Sequence, residues 1–274
     1  MQKICDLQDL SSISKEIRKN IILSLNSAGS GHLGGSLGLA DVFTVLYFNE
    51  LNHDSTNPKW YFRDRLVLSI GHVAPVLYSS LALAGYFSVD ELKSLRKLGS
   101  RLQGHPSLSF ELPGLELSSG SLGQGLSIGV GMSIALKYDK LESRVYVVMG
   151  DGELQEGSVW EAAMSASFHK LDNLIAIVDR NSKQIDGDTE NVMALEPLKS
   201  KWEAFGWECF ECDGNNIVEL LDVFSKMKVQ NSKPKLLIAK TKMGSGVKSI
   251  EDDYKWHGKA PNNQETEEFI NQLS

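Results

Sequence analysis

The chain has 274 residues, 42% of them hydrophobic and 23% charged, which is the make-up of an ordinary globular protein and excludes wholesale disorder. Its formal net charge of −7 argues against a nucleic-acid groove or a polybasic membrane surface. Cys5, Cys209 and Cys212 are too few for a disulfide framework, which fits a reducing compartment and a cytoplasmic protein.

Lys3, Asp6 and Asp9 interrupt the first ten residues, so no signal peptide is expected there, and no apolar run approaches a membrane span. Helical periodicity runs over 14–28 and 39–51, followed by a weak strand at 65–69 and a helix over 74–84. A helix rich in small residues is predicted over 122–138. Strands at 145–149 and 174–178 flank a helix over 159–169, and a strand at 208–212, a helix over 217–228 and a strand at 236–240 complete the pattern. The clearest strands, 145–149, 174–178 and 236–240, are short apolar runs of the kind buried on both faces of a parallel sheet, with 65–69 and 208–212 as further candidates. Their alternation with helices predicts a doubly wound, mainly parallel α/β sheet with helices on both faces and ligands at the carboxyl ends of its strands. One domain is expected over 1–274, with the polar stretch after Lys259 leaving it.

Cys209-x-x-Cys212 has no second ligand pair nearby and reads as two ordinary buried thiols. In 122–138, Ser127, Gly131 and Ala135 recur at helical spacing beside Gly123, Gly125 and Gly129. Glycine costs roughly 1 kcal/mol inside a helix. Its density here predicts close approach to a ligand at the start or to another helix along the length.

Gly150-Asp151-Gly152-Glu153 follows a strand end at once and precedes a helix. Free amides in such a turn suit a diphosphate, and the carboxylate beside it suits a bridging Mg²⁺ or Ca²⁺, since hard cations take oxygen ligands. The next strand ends in Asp179-Arg180-Asn181, so Asp151 and Asn181 are expected at one edge of the sheet. Together with one main-chain carbonyl they fill half an octahedron. Four of the six histidines touch glycine, in Gly31-His32, Gly71-His72, Gly104-His105 and His257-Gly258. Glycine lets the backbone approach a ligand while the imidazole projects toward it, so the four point to a polar site that handles protons near pH 7. His53 and His169 lack this setting and are expected on the surface.

The Gly-Asp-Gly turn with its later asparagine resembles the signature of thiamine diphosphate enzymes. The ordered set Ser30-Gly31-His32-Leu33-Gly34-Gly35-Ser36, Leu68-Ser69-Ile70-Gly71-His72, Gly104-His105-Pro106, Ser119-Gly120-Ser121-Leu122-Gly123-Gln124-Gly125, Gly150-Asp151-Gly152-Glu153-Leu154-Gln155-Glu156-Gly157 and Trp256-His257-Gly258 resembles the transketolase family. The resemblance implies that His32 and His257 contact the sugar donor, with His257 also reaching the cofactor. It implies that His105 bonds the donor's terminal hydroxyl and that His72 lies beside thiamine diphosphate. Gly120, Ser121 and Leu122 would lie along the aminopyrimidine and diphosphate, with Gly152 on the diphosphate. Asp151, Asn181 and the carbonyl of Lys183 would hold the metal, and Glu156 would stand where the two active sites meet.

Met243 occupies a position where many relatives carry a lysine near the cofactor, with Lys242 as a candidate substitute, and Leu33 replaces a more usual proline. Nothing here resembles the family's pyrimidine-binding or carboxy-terminal domains. The resemblance is therefore to the amino-terminal subunit of a split transketolase, needing a partner chain in two copies of each. It implies transfer of a two-carbon ketol unit from a ketose donor to an aldehyde acceptor. Pentose phosphates are the default substrates, and unusual or sulfonated sugars the alternative. The rival readings are an α chain of a 2-oxoacid dehydrogenase, which shares the Gly-Asp-Gly and asparagine pair, and a non-catalytic cofactor-binding module.

Overall fold

The structure is a computed structural model that describes residues 3–273. Met1, Gln2 and Ser274 lie outside the described residues, and with them the first residues of the segment read for a leader.

Helix α1 (Leu7–Ala28) begins well before residue 14, because the Asp6 side chain caps it by accepting from the Gln8 and Asp9 amides. Gly29 ends it in the left-handed region at φ 67°. Its buried stripe, Leu10, Ile17, Ile21 and Leu25, faces the core, each such side chain being worth about 1.5–3 kcal/mol on burial. Short helices α2 (Leu33–Gly38) and α3 (Ala40–Val45) follow. The helix predicted over 39–51 is thus α3 continued by a π-helical turn, Leu46–Glu50.

The framework then alternates: β1 (Arg65–Leu68), α4 (Ala74–Leu83), α5 (Gly125–Tyr138), β2 (Val145–Gly150), α6 (Gly157–Phe168) and β3 (Leu174–Arg180). A small hairpin, β4 (Lys183–Gln184) and β5 (Gly187–Asp188), leads to α7 (Thr189–Val192) and α8 (Leu198–Ala204). β6 (Glu208–Asp213), α9 (Ile217–Met227), β7 (Lys235–Lys240) and α10 (Asn263–Gln272) complete it.

Five strands form one sheet in the order β1-β2-β3-β7-β6, every pairing parallel. Side chains alternate between two apolar layers, as a sheet covered on both faces requires. On β2, Tyr146 and Val148 enter the layer built with α1, α3 and α9, while Val145, Val147 and Met149 enter the layer built with α5 and α6. Cys209 and Cys212, three apart on β6, pack against opposite layers and so cannot share a metal. Cys212 is buried and Cys209 half-buried, and burial pushes both thiols up to about 12, away from the reactive thiolate.

The polar stretch after Lys259 does not leave the fold. Asn262 and Glu265 form a reciprocal capping box for α10, which packs on α1 with Phe269 and Leu273 buried. Phe269 meets Trp256 edge to face at 5.2 Å between ring centroids. This anchors the loop that carries His257.

Candidate active site

Because every strand of the sheet is parallel, the segments leaving β1, β2, β3 and β7 emerge along one edge. Gly150 is in register with Asp179, and Arg180 with Lys240. A cavity of about 260 Å³ opens there, lined by His72, Leu122, Asp151, Gly152, Glu156, Asn181, Lys183 and His257 among others. Of two larger hollows of about 550 Å³, one adjoins this cavity at Asn181 and Lys183 and the other lies apart, and neither gathers the imidazoles and the Gly-Asp-Gly turn together.

The three inner histidines come from three distant segments. His32 precedes α2, His72 sits in the turn after β1, and His257 follows the short turn Tyr254–Trp256. Their ring centroids are 4.9 Å apart for His32 and His72, 5.2 Å for His72 and His257, and 5.7 Å for His32 and His257. Burial, reinforced by neighbouring imidazoles, pulls His72 down to about 3 and His32 to about 4, and burial lowers His257 too. All three are neutral imidazoles at pH 7, able to donate through one nitrogen and accept through the other. The buried Nδ1 atoms of His32 and His257 have no hydrogen-bond partner, and neither has the buried Ser119 Oγ. Buried polar atoms without partners are costly, so a site that keeps several is one built for a ligand.

His105 is exposed at the rim, packed against Gly120. Gly120 and Ser121 are exposed and Leu122 half-buried on the loop before α5. A Cβ on Gly71 would come within 2.8 Å of the Gly120 nitrogen, so only glycine allows the His72 turn and this loop to touch. Glu153, buried under the contact, accepts from the Gly123 amide at 2.8 Å, the Gly150 amide at 3.1 Å and the Ser69 hydroxyl. One carboxylate thereby ties together the segments leaving β1 and β2 and the loop before α5.

Asp151 is 1% exposed. Its Oδ1 accepts from the Gly152 amide at 2.8 Å, and its Oδ2 from the Ser182 amide at 2.7 Å and Arg180 Nη1 at 2.9 Å. Burial pushes this carboxyl up, while Arg180 and the two amides pull it back. Asn181 is oriented by Nδ2, which donates to Asp179 at 2.8 Å, so that Oδ1 accepts from the Lys183 amide at 2.9 Å. Among the described residues no cluster of three His, Cys, Asp or Glu side chains exists that could hold a metal. The candidate set is instead one carboxylate, one amide oxygen and one carbonyl, the all-oxygen donor chemistry of a hard cation that draws its remaining ligands from a diphosphate.

Met243 is fully buried, and its side chain lies 2.5 Å from where a Cβ on Gly34 would sit. Lys242 is exposed and lines a neighbouring hollow with Arg180 and Glu211, outside the histidine cavity.

The structure corrects one histidine. His53 is not at the surface: it is 6% exposed, its Nδ1 at 2.9 Å from the Tyr86 hydroxyl and its Nε2 at 2.7 Å from the Tyr47 carbonyl. Those partners lie in distant or helical segments that no local motif reveals. His169 is exposed, as expected.

Arg96 was not singled out by any motif. Held at φ 60°, it donates to the Ser30 hydroxyl at 3.3 Å, and its Nε lies 2.8 Å from where a Cβ on Gly104 would sit. It bridges the His32 and His105 loops and adds a positive charge that helps keep both imidazoles neutral. The glycines flanking both histidines were the one trace of it in the sequence.

On α5, Gly129 packs against Val147, while Ser127, Gly131 and Ala135 are exposed, with open space around Gly131. Beside this stripe stand four exposed apolar side chains, Ile134 and Tyr138 on α5 and Met164 and Phe168 on α6, the last 80% exposed. Exposed apolar side chains on two helices that pack together are the raw material of an interaction surface.

The sequence profile described as transketolase, thiamine diphosphate binding domain matches residues 11–274. The chain belongs to the transketolase family. It is 43% identical over 261 residues to an apulose-4-phosphate transketolase subunit of Phocaeicola vulgatus, covering 95% of this chain and 92% of that protein. It is also 43% identical over 239 residues to the 6-deoxy-6-sulfo-D-fructose transketolase subunit SqwG of a Clostridium species, covering 87% and 86%. The crystal structure of transketolase from Campylobacter jejuni superposes with a TM-score of 0.92 at 35% identity, over 98% of this chain but 43% of that one. The chain thus has the thiamine diphosphate-binding fold. It spans under half of that full-length transketolase, but nearly the whole of the separate Phocaeicola subunit. Among the described residues no helix is long and apolar enough to cross a membrane.

Proposed function

We propose that this chain is the thiamine diphosphate-binding subunit of a split, cytoplasmic transketolase that moves a two-carbon ketol unit from a ketose to an aldehyde. The observation that carries the reading is the cavity that gathers the Gly150-Asp151-Gly152 turn, Asn181 and two of three mutually packed neutral histidines at the carboxyl edge of the sheet. The residues fit the cofactor and its cation: the all-oxygen corner and His257, whose buried Nδ1 has no partner, line one cavity.

In this reading Asp151, Asn181 and the Lys183 carbonyl hold Mg²⁺ (Ca²⁺ being the alternative), and Gly152 meets the diphosphate. Gly120, Ser121, Leu122 and His72 line the cofactor, with Glu156 near the junction of two active sites. Thiamine diphosphate, when bound, supplies the carbanion chemistry of ketol transfer. The chain's own residues bind and orient the sugar: His32 and His257 present Nδ1 or Nε2 to its hydroxyls and carbonyl, and His105 bonds the donor's terminal hydroxyl from the rim. Neutral imidazoles can take a hydroxyl proton in one half of the transfer and return it in the other. Arg96, beside two of them, adds positive charge that helps keep His32 and His105 neutral. The substrates after which both relatives are named carry an anionic end, a phosphate in one and a sulfo group in the other.

The pyrimidine-binding and carboxy-terminal domains belong on a separate chain. The apolar face of α5 and α6 and the exposed Glu156 are the surfaces that such a partner covers. Two copies of each chain form the assembly, in keeping with the closed symmetry of most oligomers. Mixing this chain with that partner, thiamine diphosphate, Mg²⁺ and an aldehyde, with a ketose phosphate in one reaction and a 2-oxoacid in a parallel one, tests the reaction class. An acceptor lengthened by two carbons is the expected product. Carbon dioxide released from a 2-oxoacid, with no lengthened sugar, would overturn the reading.

A further inference from the structure

Asp151 carries its hydrogen bonds unevenly. Oδ2 receives the Ser182 amide at 2.7 Å, Arg180 Nη1 at 2.9 Å and the Thr189 hydroxyl at 3.3 Å, whereas Oδ1 receives only the Gly152 amide. A carboxylate oxygen offers two acceptor directions. Oδ2 is saturated and Oδ1 retains one.

Arg180, itself 8% exposed, is held in turn. Its Nη2 donates to Glu190 at 2.7 Å and to Glu196 at 3.0 Å. These carboxylates are fixed from behind: Glu190 accepts from the Leu195 amide at 3.1 Å and Glu196 from the Leu198 amide at 2.8 Å. Both lie on the segment that follows Lys183 and the β4–β5 hairpin. The guanidinium therefore pins that segment to Asp151. A lone arginine beside a cation site would repel the cation. Here two glutamates neutralise it, so its orienting effect survives without net repulsion.

Resting on the proposed cation site, we propose that Arg180 is its positioning residue. One arm of the guanidinium, Nη1, holds Oδ2 of Asp151 and leaves the open acceptor direction of Oδ1 for the cation, and the other, Nη2, fixes the segment bearing Lys183 through Glu190 and Glu196. Groups that orient metal ligands from behind typically account for 10–100-fold in metal affinity.

The test uses the assembled enzyme, titrated with Mg²⁺ at fixed thiamine diphosphate, with cofactor binding followed by calorimetry and turnover measured separately at saturating Mg²⁺. Arg180→Lys keeps the charge but loses the fork and should raise half-saturating Mg²⁺ about tenfold. Arg180→Met should raise it further, toward roughly 100-fold. Glu196→Gln should raise it about threefold, since the guanidinium is then both freer and less neutralised. The Glu196 side chain is 58% exposed, so this variant folds even where the buried ones do not. Excess Mg²⁺ should restore turnover in each, which a merely structural defect would not allow. Wild-type Mg²⁺ affinity in Arg180→Lys and Glu196→Gln, with the wild-type enzyme still cation-dependent, overturns the role of Arg180. Cofactor binding by the wild type without any cation overturns the site reading, and this inference with it.

Discussion

The two halves of the candidate site are finished to different degrees. In the cation corner every side chain is engaged: both oxygens of Asp151, both ends of the Asn181 amide and both carboxylates behind Arg180 have partners. In the histidine cluster the reverse holds, with Nδ1 of His32 and of His257 buried and unpartnered within a few ångströms of one another's rings. A preset corner holds its geometry before the ligand arrives and needs no reorganisation to bind it. The open cluster keeps its hydrogen-bonding capacity in reserve, at a cost in stability, for groups that a substrate brings. The contrast separates binding from turnover: damage to the corner should show as lost cofactor, damage to the cluster as lost rate.

The largest effect should come from the corner. Asp151→Ala should abolish Mg²⁺-dependent thiamine diphosphate binding by the assembled enzyme, a loss of 100-fold or more on the order expected when a hard cation loses its one charged protein ligand. Asn181→Ala should cost less, because a neutral amide oxygen is easily replaced by water. Calorimetry that found unchanged, metal-independent affinity in Asp151→Ala would erase the distinction between the two regions.

Next comes the cluster. His257→Ala and His105→Ala should each lower kcat/KM by about 2–3 kcal/mol, or roughly 30–150-fold, while the cofactor still binds. His169→Ala, at the exposed end of α6, should behave as wild type. Near wild-type kinetics in all three would remove the histidine-lined donor pocket.

His53 sharpens the comparison as an imidazole of the paired kind. Because both nitrogens are satisfied by Tyr86 and Tyr47, His53→Ala should destabilise the fold by about 1–3 kcal/mol, read as a lower Tm, without a specific effect on kcat. A Tm equal to wild type would contradict the burial of this residue.

The smallest effect is on pH dependence. His72 at about 3 and His32 at about 4 bind protons less readily in the folded chain than at the ordinary 6.5. Acid below 6.5 therefore favours the unfolded chain, and their contribution to stability falls from pH 6.5 toward pH 4. Asp179, pushed up to about 7 by burial, acts in the opposite sense, so the comparison must be between variant and wild type. His32→Asn should lose less Tm than wild type over that interval. An equal or steeper loss would mean that the cluster is not held neutral by burial.

How much of this was legible in the sequence follows from the range of the forces involved. The centre of the sheet was readable because β2, β3 and β7 are short apolar runs bounded by polar turns, and they appeared within two residues of their ends. The Gly-Asp-Gly turn and the glycine-flanked histidines were readable because local backbone chemistry demands glycine there. What stayed hidden depends on partners far along the chain. His53 meets Tyr86 across 33 residues, and Arg96 meets Ser30 across 66. Arg180 draws its meaning from Asp151, 29 residues away. Helix α10 was hidden for another reason: its composition is polar, and Phe269 with Leu273 anchors it almost alone. The spacing of Asn262 and Glu265 was the signal that could have revealed it.

The central claim is that this chain supplies a finished cofactor corner and an unfinished catalytic cluster, and it is tested most directly by comparing the purified chain with its assembly. Both are given thiamine diphosphate, Mg²⁺, a ketose phosphate donor and an aldehyde, and the lengthened product is measured while a sizing column follows association. The account predicts no transfer from the chain alone, transfer once the partner is added, and a larger species in which the α5 and α6 face is covered. Full transfer activity from the isolated 274-residue chain would contradict it.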